Sequence, residues 1–90
     1  MGRPLQHTPD AVYRDLAEGR GGVLLHLQSA DYVQLNDVAA RIWNAIDGSR
    51  DEDGVVAALR AQLPDAPEVL EDDVRSFIST LRDRGLVTVL

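Results

Sequence analysis

The stretch Gly22-Val-Leu-Leu-His-Leu-Gln-Ser-Ala-Asp-Tyr-Val-Gln-Leu-Asn-Asp-Val-Ala-Ala-Arg-Ile-Trp43 decides the fold, because its hydrophobic period changes part-way along. Val23–Gln28 is an apolar run that reads as a strand. Ser29 and Ala30 form a short connection, and Asp31-Tyr-Val-Gln-Leu35 alternates as a half-buried strand does. From Asn36 the period becomes about 3.6. Asn36 or Asp37 can cap a helix running to Asp47, with Ala39, Ile42 and Ile46 as its inner stripe and Val38 and Trp43 on the flanks. Gly48 stops it.

Upstream, Glu18-Gly19-Arg20-Gly21-Gly22 marks a turn, since glycine supplies the positive φ that hairpins need. It links the Val23 strand to a strand over Ala11–Leu16, with Val12 and Leu16 on one face. Residues 1–10 carry two prolines and no periodicity, so they read as a flexible lead-in to one domain over residues 11–90. Downstream, Ser49-Arg50-Asp51-Glu52 has the spacing of a capping box. The helix it opens places Val55, Val56, Leu59 and Leu63 on one face and ends before Pro64. A last helix begins near Glu68, runs to about Arg84 and stops at Gly85, with acids in its first turns and arginines in its last. Leu86–Leu90 is an apolar tail expected to pack across the core. The order β-β-β-α-α-α specifies an α+β domain: a three-stranded antiparallel sheet followed by three helices.

Composition narrows the function. Ninety residues leave room for one core, and the absence of cysteine removes thiolate metal sites and a cysteine nucleophile. Nine arginines, no lysine and fifteen acids give a net charge of −6, a poor match to a phosphate backbone. No apolar run approaches the ~18 residues of a membrane span, and the amino terminus has no signal core, so the expected location is the cytoplasm. His7 and His26 stand apart, and the glycines of the first turn are not followed by a phosphate-loop lysine. The acids Asp51-Glu52-Asp53 sit at a helix start, where acids are expected without a metal. The expectation is a non-catalytic protein with no cofactor and no metal.

A strand at the margin of a small sheet exposes unpaired N–H and C=O groups. Asp31–Leu35 occupies such a margin and has neither proline nor lysine to block pairing, so an extended peptide can add to it. The alternative is that a loop or helix of the same chain covers it, and periodicity does not choose. In the last helix Leu70, Val74, Phe77 and Leu81 form the core stripe, while Ile78 lies roughly 80° from Leu70, near Glu71, Arg75 and Arg82. That flank reads either as a half-exposed groove wall or as a widening of the buried stripe beside solvated arginines.

The segments Gly22–Leu27, Asp31-Tyr-Val-Gln-Leu-Asn36 and Val38-Ala-Ala-Arg-Ile-Trp43, with the closing Arg84-Gly-Leu-Val87, strongly resemble the PqqD-like family, also called RiPP recognition elements. The resemblance covers roughly residues 11–88. It implies a three-stranded sheet and a three-helix bundle of winged-helix type. It also implies that the leader segment of a ribosomally made precursor peptide adds beside the third strand, against the last helix, and is delivered to a modifying enzyme. Carried onto this chain, the contacts are Asp31, Tyr32, Val33, Gln34 and Leu35 on the strand, and Val74, Arg75, Ile78 and Arg82 on the helix. Affinity between micromolar and nanomolar would rest on a few buried anchors.

As a ninety-residue chain it looks most like the separate recognition proteins of lasso-peptide systems, which work with a leader peptidase. The alternative within the family is a peptide carrier for a radical enzyme in pyrroloquinoline quinone biosynthesis. A reading from a different class, a winged-helix nucleic-acid binder, requires a basic recognition helix. The helix at Asp51–Leu63 carries one arginine against three acids.

Overall fold

Asn36 turns extended chain into helix by accepting the Ala39 N–H on its side-chain oxygen at 2.8 Å. The computed structural model describes residues 2–90. Before Asn36 lie β1 (Leu5–His7), β2 (Ala11–Asp15), β3 (Gly22–His26) and β4 (Tyr32–Leu35); after it come α1 (Asp37–Ala45), α2 (Glu52–Gln62), α3 (Val69–Asp83) and β5 (Val87–Val89). Strands β2, β3 and β4 form an antiparallel meander in that order, so the expected α+β architecture is the one observed. Gly21, at φ +86°, sits so close to Leu35 that a Cβ there would collide with the Leu35 carbonyl oxygen. A side chain at Gly22 would meet the Tyr13 ring. Both glycines are therefore needed for β3 to lie between its neighbours.

The inner face of the meander carries Leu24 and Leu35, packed with Ile42, Trp43, Leu59, Val74, Ile78 and Leu81 from the helices. Among the described residues no helix is long and apolar enough to cross a membrane.

Four local expectations need correction. Residues 5–7 are not a loose lead-in: β1 pairs antiparallel with β5, Leu5 opposite Val89, and Leu5 is buried in the core. The apolar tail thus finds its place as a strand, with Leu86 and Val87 buried. This pairing joins residues 80 to 84 positions apart, which no local periodicity reveals. Val12 points to the outer, solvent-facing side of the sheet, while Ala11 and Tyr13 pack against the core cluster. Helix α1 ends at Ala45, two residues short of Asp47. Finally, α2 is capped by Asp51, which accepts the Gly54 N–H at 2.7 Å, whereas the Ser49 hydroxyl donates to Asp47. An aspartate adjacent to the first turn displaces the serine two residues earlier because its carboxylate meets the free N–H directly.

Candidate binding site

The free margin of β4 is defined by the ladder on its other side. Gly22 faces Leu35, Leu24 faces Val33, and the His26 N–H donates to the Asp31 carbonyl at 2.9 Å. In an antiparallel pair, hydrogen-bonded and non-bonded positions alternate. Asp31, Val33 and Leu35 therefore direct their backbone groups toward β3, and Tyr32 and Gln34 direct theirs outward. No other strand among the described residues pairs with that margin.

Two concavities flank it. One, of about 300 Å³, lies between the start of β4 and the end of α3 and is lined by His26, Asp31, Tyr32, Val33, Arg84 and Leu86. The other, of about 420 Å³ and mostly apolar, lies where Asn36 and Val38 approach α3, with Leu70, Asp73 and Phe77 on the helix side. Its far wall is the α2–α3 loop. Arg60 holds that loop by donating to the carbonyls of Ala66, Pro67 and Glu68 at 3.1–3.2 Å.

The strand residues expected in the site take different roles in this geometry. Tyr32 is 72% exposed and, with Gln34, offers the outward backbone groups. Val33 and Asp31 line the first concavity. Leu35 is 1% exposed and belongs to the core.

On α3 the two apolar residues of the expected flank are covered. Ile78 is 1% exposed and Val74 fully buried, so both are core residues, and neither lines the concavities beside β4. Arg75 is held by three carboxylates, donating to Asp53 at 2.6 Å, Glu52 at 2.7 Å and Glu71 at 3.0 Å. The hydrogen bonds to Asp53, Glu71 and Glu52 push its pKa further up. The acids that open α2 are thus partnered by a guanidinium, and among the described residues no group of His, Cys, Asp or Glu is arranged to hold a metal ion. Arg82 is exposed and, with Ile78, Glu52, Leu5 and Val89, borders a small hollow on the β1–β5 side, away from β4.

At 100° per residue the core arc of α3 runs from Leu70 through Val74 to Ile78. Phe77, Arg84 and Asp73, which line the two concavities, fall at roughly −20° to −60° from Leu70. Sequence reasoning centred the buried stripe about 30° off, which exchanged Phe77 for Ile78. The missing signal was the pairing of Arg75 with the acids of α2, more than 20 residues away.

His7 is placed far from the margin. Its ring stacks on Trp43 at 3.6 Å between centroids, and its Nε2–H donates to the Trp43 carbonyl at 2.8 Å. Burial lowers its pKa, against the opposing effects of that hydrogen bond and of Asp47.

Residues 21–87 match the family model described as coenzyme PQQ synthesis protein D (PqqD). The chain belongs to the PqqD family. Among curated relatives, the PqqA binding protein of Pseudomonas putida (strain W619) is 36% identical over 70 residues, spanning 78% of this chain and 74% of that protein. A solved structure of TbiB1 in complex with the TbiA(beta) leader peptide shares 27% identity at a TM-score of 0.76, covering 91% of this chain and 93% of that one. A lasso peptide synthetase B1 complexed with its leader peptide, 24% identical with a TM-score of 0.73, shares the fold over 93% of this chain and 96% of its own. PqqD proteins are non-catalytic, and this member is no exception.

Proposed function

We propose that this PqqD-family chain binds the leader region of a ribosomally made precursor peptide as a fourth strand on β4 and presents it to a modifying enzyme. The observation that carries the reading is the unpaired margin at Tyr32 and Gln34, flanked by concavities that can take side chains from an added strand. Backbone hydrogen bonds to those two residues supply affinity in any sequence, and the side chains entering beside Val33 and Phe77 supply selectivity.

The choice of precursor shifts with the comparisons. The curated relatives are PqqA binding proteins at 34–41% identity, whereas the two structures in complex with leader peptides stand at 27% and 24%. Sequence similarity therefore favours a PqqA-type precursor and the quinone-cofactor carrier reading over the lasso reading. The lasso reading stands second, on the fold shared with the lasso peptide synthetase B1 over 93% of this chain. In either case the partner is an enzyme that works on the captured peptide, and the family points to the cytoplasm.

Calorimetric titration with the PqqA of the P. putida relative and with the TbiA(beta) leader separates the two. The expected result is saturable binding of PqqA with a Kd below about 100 μM and weaker binding of the TbiA(beta) leader. Saturation by neither peptide at that concentration would remove the reading.

A further inference from the structure

We infer that the β4–α3 groove selects for charge at both ends, taking a peptide with a basic residue, an apolar residue two positions later and an acidic residue two positions after that. This rests on the strand-addition reading above and extends it to the chemistry of the peptide.

The groove has unlike ends. Helix α3 runs antiparallel to β4, so its start lies near Asn36 and its end near Asp31. Asp73 stands at the first end and Arg84 at the second, both exposed, and among the described residues neither makes an ion pair. Arg84 lies in the same concavity as Asp31 without pairing with it, which leaves the guanidinium available to an incoming carboxylate. Apolar side chains stand at both ends between these charges, Phe77 in the concavity beside Asn36 and Val33 in the one beside Asp31.

Spacing and direction follow from element geometry. Eleven residues of helix separate Asp73 from Arg84, about 16 Å of rise. On an added strand, residues i, i+2 and i+4 share the face toward α3 and span about 14 Å, a gap that the long Arg84 side chain closes. The sheet already uses antiparallel ladders, and a strand antiparallel to β4 runs in the same sense as α3. The peptide thus meets Asp73 first and Arg84 last, which sets the order base, apolar, acid from its amino-terminal end.

The test is selection of a displayed library of eleven-residue peptides, randomised at every position, on the immobilised full-length chain. The expected enrichment is Lys or Arg followed four residues later by Asp or Glu. The order should reverse on the double variant Asp73→Lys, Arg84→Glu. Each single variant should weaken its own end's preference about two- to fivefold, the range of exposed ion pairs. Asp31→Asn should sharpen the acid preference at the Arg84 end. Enrichment of apolar residues alone, or of acid before base on the natural chain, would overturn the inference and leave strand addition intact. Failure to enrich any peptide would remove both.

Discussion

At the scale of single residues, Ile78 and Arg75 separate what a helical wheel can say from what it cannot. Ile78 is core, so Ile78→Asp should cost about 4 kcal/mol or more by burying a charge, measured by chemical denaturation. Val33→Asp, at a half-buried groove position, should instead leave the circular dichroism unchanged and weaken PqqA titration at least about tenfold. Arg75, one of the helix contacts that the resemblance implies, is saturated by Asp53, Glu52 and Glu71; Arg75→Ala should change peptide affinity by less than about twofold. The strand half of the site was legible because a period of two and a margin position are local properties. The helix half was not. Phe77 and Ile78 are adjacent apolar residues, and only contacts from α2 and β5 decide which is covered. His7 likewise has no local signature, since its partner Trp43 lies 36 residues on.

At the scale of elements, caps and clips show where sequence spacing misleads. Two candidates precede α2, and the structure chooses Asp51. Asp51→Ala should therefore lower stability by about 1 kcal/mol, and Ser49→Ala by much less, in paired urea melts. Strand β1 is fixed by Leu5 in the core, by the ladder to β5 and by the His7–Trp43 stack. Because burial holds the pKa of His7 below 6.5, both folded and unfolded chains carry it neutral above that pH, and it adds no pH dependence there. As pH falls below 6.5 the unfolded chain takes up the proton first, so stability declines. Denaturation midpoints should fall between pH 7.5 and about pH 5, before most carboxylates titrate, and His7→Gln should flatten that slope. The meander and the three helices could be read from period, turn glycines and caps. The β1–β5 pair could not, because two three-residue strands at opposite ends carry too few residues to alternate visibly.

At the scale of the whole molecule, the meander ends at β4 with its ladder unfinished. Hydrogen exchange should be fast at the Tyr32 and Gln34 amides of the free chain, which point outward, and slow on addition of a bound peptide, while the Val33 amide stays protected by β3 throughout. The junction of β1 and β5 has a separate, mechanical consequence. Leu5 lies opposite Val89, and the Leu90 N–H donates to the Pro4 carbonyl, so a pull applied at Pro4 and Leu90 bears on one extremity of that pair. Its bonds would break singly, like the teeth of a zip, rather than together in shear. Under tension this small pair gives way at low force, and the load reaches the helices and the meander only after it has opened.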